Sequence, residues 1–105
     1  MPNCTVVATF NPKPEHLKAV SEFLLEIAKE VRQEPGCQYY DLYQEVSGKL
    51  LFIEAWESRE LWQNHNNAPS VAKLRSFVEN KLLEPLLVQE MYQLQISGMK
   101  SASSY

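Results

Sequence analysis

Residues 38–57, QYYDLYQEVSGKLLFIEAWE, decide the fold. Gln38 to Val46 alternates aromatic and polar side chains, Ser47-Gly48-Lys49 is a tight connection, and Leu50 to Glu57 is a second extended segment, so the stretch predicts a β-hairpin. Alternation sorts the side chains of its second arm: Phe52, Glu54 and Trp56 share one face, Leu51, Ile53 and Ala55 the other. Both faces are largely apolar, so both need cover. A chain of 105 residues has enough helix for one face only, and a second copy packed against the other is the economical expectation.

Upstream, Thr5 to Phe10 is a β-branched and aromatic run closed by Asn11-Pro12-Lys13-Pro14, which reads as a strand and a turn. Pro14 is placed to open a helix. From there Leu17, Val20, Phe23, Leu24, Ile27, Ala28 and Val31 recur at steps of three and four, an apolar stripe that ends at Glu34-Pro35-Gly36. Downstream, Ser58 is an N-cap for a short helix ending near Asn66-Asn67, and Ala68-Pro69-Ser70 restarts the chain into another helix with Val71, Leu74, Phe77, Val78 and Leu82 as its stripe. Leu86 to Ile96 is extended in character, and residues 97–105 read as a mobile or tag-like tail after a domain at 1–96. The order of strand, helix, strand, strand, helix, strand predicts an α+β, ferredoxin-like split βαβ fold, with helices on one face of a four-stranded antiparallel sheet.

Ten Lys and Arg against thirteen Asp and Glu leave a formal net charge of −3 and no basic cluster, which argues against a nucleic-acid partner. The longest apolar run, Leu50 to Ile53, is far short of the roughly 20 residues of a membrane helix, so no membrane partner is expected. Met1-Pro2-Asn3-Cys4 lacks the basic and apolar segments of a secretory signal, so the expected compartment is the cytoplasm, with both cysteines reduced. Gly36, Gly48 and Gly98 form no phosphate-binding loop, and His16, His65, Cys4 and Cys37 have no metal-ligand spacing; neither a cofactor nor a metal site is expected.

Chemistry-bearing residues gather after the third strand. Glu54 lies between Phe52 and Trp56 on a face that ought to be buried, where desolvation raises a carboxyl pKa toward the working range. His65 follows Trp62 and Leu61 by three and four residues, which turns it inward on its helix and makes it the base nearest neutral pH. Trp56 and Phe52 are flat walls for an aromatic ring, and Tyr40 points opposite to Tyr39 and Tyr43; Trp62 is assigned to the core.

Glu34-Pro35-Gly36-Cys37 after the long helix, Glu54-Ala55-Trp56-Glu57-Ser58 closing the third strand, His65 nine residues beyond Trp56, and Glu84-Pro85 within Leu83 to Leu94 together resemble the antibiotic biosynthesis monooxygenase family, over roughly residues 4–96. The resemblance implies a dimeric α/β barrel and cofactor-independent oxygenation of a quinol or polyphenol by dioxygen. His65 or Glu54 would be the base and Trp56, Phe52 and Tyr40 the substrate-binding residues. Proton transfer without oxygen, as in isomerisation of a small hydroxyketone, is the alternative for the same base. Where the family often has Ser-Pro-His this chain has Ala68-Pro69-Ser70, which supports a third reading as a non-catalytic, dimeric ligand-binding or stress-associated module. Haem-degrading relatives use a first-strand Asn where the matching position here is Val7, which disfavours that activity. The family's fold is also expected to start the strands of Cys4 and Cys37 at opposite sheet ends, too far apart for a disulfide.

Overall fold

A computed structural model describes residues 4–96; the expected tail at 97–105 lies outside the described residues. Its elements are β1 (Cys4–Phe10), α1 (Leu17–Val31), β2 (Cys37–Gln44), β3 (Leu50–Trp56), α2 (Arg59–Asn66), α3 (Pro69–Val78) and β4 (Leu87–Met91). The four strands form one antiparallel sheet in the order β2-β3-β1-β4. This is the split βαβ arrangement expected from the hairpin and the stripe of α1.

Period-two burial selects the faces. Cys4, Val6, Ala8 and Phe10 of β1 pair with Trp56, Glu54, Phe52 and Leu50 of β3, and all are buried beneath the helices. Val20, Leu24, Ile27, Ala28 and Val31 of α1 close over them as the stripe predicts. Stacked rings of Phe23 and Phe77, 4.1 Å apart, join α1 to α3. On the opposite face Leu51 and Ile53 are half-buried while Tyr39, Tyr43, Leu87 and Met91 are exposed, so the helices of this chain leave that face open.

Several boundaries differ from the sequence reading. Pro14 opens a single 3-10 turn, Pro14–His16, before α1 begins. The hairpin turn starts earlier than expected: Gly48 N–H donates to Glu45 O at 2.8 Å, and Gly48 supplies the positive φ of +108°. Only Leu87–Met91 of the extended segment 86–96 is a strand, paired with Thr5 to Thr9 of β1. The strands of Cys4 and Cys37 start at the same sheet end, since β1 and β2 are both antiparallel to β3; both cysteines pair across from Trp56, one on either side. Two strand spacings of about 4.8 Å still hold them farther apart than a disulfide spans, and both are free thiols.

Candidate active site

The helix-facing row of β3 carries the first part of the site. Glu54 sits between Val6 of β1 and Tyr40 of β2 in the register and is 3% exposed. A carboxylate so deprived of water is costly to charge, and burial pushes Glu54 up to about 7. A hydrogen bond opposes this shift: Trp56, two residues along the same face, donates its indole Nε1–H to Glu54 Oε1 at 2.9 Å. Phe52 stacks on Tyr40 at 4.1 Å, so Phe52, Tyr40 and Trp56 are all buried aromatics on the helix side. Burial also holds the Tyr40 phenol far above its ordinary value, with Glu54 adding to the shift.

The second part comes from α2. Ser58 caps it, accepting from Leu61 N–H at 3.2 Å, and the capped helix turns His65 inward. His65 is 6% exposed, its ring stacked on Trp56 at 4.5 Å and edge-on to Tyr40 at 5.8 Å. The five residues singled out from sequence, His65, Glu54, Trp56, Phe52 and Tyr40, are therefore brought together on one side of the sheet. Trp62, half-buried and packed against the core as expected, also lines the same small cavity as Glu54 and His65. Val7 falls on the open face, and the β1 residues at the cavity are Ala8 and Phe10.

Glu34 is the site residue that sequence reasoning missed. Its carboxylate receives His65 Nδ1 at Oε1, 2.7 Å away, and the buried Ser70 hydroxyl at Oε2, 2.5 Å away. The turn after α1 delivers it there. Gly36 takes φ +84°, and Gly36 O accepts from Glu57 N–H at 2.8 Å, which fastens the turn to the end of β3 beneath Leu61 of α2. The only sequence signal was the Glu34-Pro35-Gly36 turn itself, which reads equally well as a helix stop. Ser70 serves as a donor to this carboxylate.

With Glu34 Oε1 as the acceptor of the Glu34–His65 bond, Nδ1 carries the proton and a neutral imidazole keeps its lone pair at Nε2. Burial lowers the pKa of His65, although Glu34 pulls the other way, and the imidazole is neutral at pH 7. The cavity reached by His65, Glu54 and Tyr40 measures about 30 Å³, and a second hollow of about 110 Å³ meets His65 from the side of Pro35 and Asn64. Among the described residues no group of three or more His, Cys, Asp or Glu is placed to hold a metal ion. The two cysteines beside Trp56 are poor nucleophiles: burial pushes Cys37 up to about 11 and, with Glu90, raises Cys4.

A family model for antibiotic biosynthesis monooxygenase matches residues 4–76, the span that carries β1 to β3, Glu34, Glu54, Trp56, His65 and Ser70. The chain belongs to the antibiotic biosynthesis monooxygenase family. A Mycobacterium tuberculosis protein named "Putative monooxygenase Rv0793" is 32% identical over 84 residues, covering 79% of this chain and 83% of the relative. The solved structure of Rv0793 superposes with a TM-score of 0.83 at 29% identity, over 91% of this chain and 99% of that one. PA3566 from Pseudomonas aeruginosa gives 0.82 at 26% identity, over 90% and 97%. The family's ferredoxin-like fold is thus the fold of this chain, and no helix among the described residues is long and apolar enough to cross a membrane.

Proposed function

We propose that this protein is a cofactor-independent monooxygenase that oxidises a quinol or other polyphenolic small molecule with dioxygen, His65 acting as the base. One observation carries the reading: a buried, neutral imidazole, held through Nδ1 by Glu34 and stacked on Trp56, shares a cavity with Glu54. In this reading Nε2 takes the phenolic proton, and the resulting electron-rich anion passes one electron to dioxygen. Recombination of the radical pair forms a C–O bond as a peroxide. The peroxide breaks its O–O bond as a ring C–H proton leaves, so one oxygen stays as a carbonyl and the other departs as water. The substrate supplies both reducing equivalents.

Each neighbour has a place in this scheme. Tyr40 lines the cavity and walls the ring, while Phe52 backs Tyr40 and Trp56 backs His65, and together they keep bulk water from the radical pair. Glu54, at about 7, is half-protonated near neutrality and is suited to return a proton to the peroxide. A second copy of the chain, packed over the open sheet face, completes the proposed homodimer; Tyr39, Tyr43, Leu87 and Met91 supply the apolar patch that such a partner would cover.

Dioxygen uptake with a panel of reduced naphthoquinols and benzoquinols, corrected for spontaneous oxidation, tests the proposal. His65→Ala should lower the enzyme-dependent rate by about 10²- to 10⁴-fold, the usual contribution of a positioned base. Absence of enzyme-dependent uptake across the panel refutes the oxygenase. Solvent-hydrogen exchange into a hydroxyketone without uptake would instead identify an isomerase, and ligand binding with neither activity would identify a binding module.

A further inference from the structure

We propose that Arg75 is the counter-ion for the anionic form of the substrate, and that the substrate reaches it as an uncharged, ionisable aromatic through the hollow at the C-terminal end of α3. The inference rests on the oxygenase reading and adds the charge class of its substrate and the way in. The inner cavity, about 30 Å³, has room for about one water molecule and none for a ring, so its wall must yield. A hollow of about 340 Å³ lies outside it, walled by Val78, Leu82, Leu83 and Pro85. Arg75 and Leu86 line both spaces, and are therefore the partition between them. Leu86 stands in the irregular link between α3 and β4, and Arg75 carries a long flexible side chain in the last turn of α3.

Charge decides what Arg75 is for. Among the described residues it has no hydrogen bond and no ion pair, not even with Glu79 one turn away, whereas Arg32, Arg59, Lys29 and Lys73 are all paired. Among the described residues it is also the one permanently cationic side chain lining the inner cavity, which it shares with Glu54, Tyr40 and the neutral His65. When His65 Nε2 takes the phenolic proton, the imidazolium charge is met by Glu34 at 2.7 Å. The phenolate oxygen is left in an apolar cavity beside Glu54, and an unpaired anion there is expensive. Arg75, on the wall of that cavity and without a partner of its own, is the cation free to turn in and meet it. The outer hollow has the opposite bias, because Glu79 and Glu84 line it; Glu84 is held by Asn11 Nδ2 at 2.6 Å. A permanent anion is repelled on the way in, and a neutral phenol is not.

The test uses 4-nitrophenol, whose yellow phenolate is distinct from the colourless phenol, bound to the full chain and to Arg75→Gln and Arg75→Lys. Arg75 is exposed, so neither substitution disturbs the core. The ratio of bound phenolate to bound phenol should fall at least tenfold in Arg75→Gln and much less in Arg75→Lys. The uncharged 4-nitrophenol should bind the wild type more tightly than the permanent anion 4-nitrobenzoate. An equal ratio in wild type and Arg75→Gln overturns the counter-ion, equal affinity for 4-nitrobenzoate overturns the neutral approach, and no binding of 4-nitrophenol overturns both. Failure of the oxygenase reading is separate, since it is read from dioxygen uptake while the phenolate ratio is measured without turnover.

Discussion

Glu54→Gln should make the protein more stable above neutral pH and leave it nearly unchanged in acid. The side chain is 3% exposed and its carboxyl is raised from 4.5 to about 7, with burial as the largest cause. Between those two values the folded chain holds a proton that the unfolded chain has released, so stability falls as pH rises through the window. At about 1.36 kcal/mol per pH unit, the displacement costs the wild type about 3 kcal/mol once the pH is above 7. The substituted amide keeps an oxygen for the Trp56 indole and never ionises, so the variant escapes that cost. His65 acts with the opposite sign: its folded pKa lies below 6.5, so its contribution weakens as the pH falls through 6.5, equally in both proteins. The measurement is urea unfolding of wild type and variant, at one protein concentration, over pH values from below 4.5 to above 7. A stability gap that opens with rising pH toward about 3 kcal/mol is the expected result. A gap independent of pH would refute the claim that Glu54 is desolvated in the folded chain.

Gly36→Ala should cost about 2 kcal/mol or more, because an added Cβ collides with Leu61 Cδ1 and meets its Cβ at 2.8 Å, and the residue stands at φ +84°; an unchanged thermal midpoint would contradict the turn. Ser70→Ala removes a donor from Glu34 Oε2 and should cost about 1–3 kcal/mol in chemical denaturation; a neutral result would mean that water replaces the hydroxyl at no cost. Ile53→Lys places a charge in the centre of the open sheet face and should leave a folded monomer, whereas wild type should sediment as a dimer. A monomeric wild type at micromolar concentration would overturn the homodimer.

Much of this architecture was legible because burial repeats with a local period. Alternation in Leu50–Trp56 placed Phe52, Glu54 and Trp56 on one face, and the steps of three and four in Leu17–Val31 identified the covering helix. Ser58 announced α2, and the spacing of His65 from Leu61 and Trp62 turned the imidazole inward. These depend on neighbours within one element, which a sequence displays directly. The extent of β4 did not, because it is set by pairing with β1, far away in the chain.

The sequence by itself determined which residues face the core and hence that Glu54 and His65 could share a site. Only the tertiary structure decided what surrounds them. Glu34 meets His65 across 31 positions and Ser70 across 36, through a turn whose placement depends on β3 and α2 together. Arg75 and Leu86 become a partition only when α3 and the approach to β4 close over the sheet. Hydrogen bonds and desolvation depend on distances between separate elements and on the water they exclude. A local pattern of side chains specifies neither until the elements have packed.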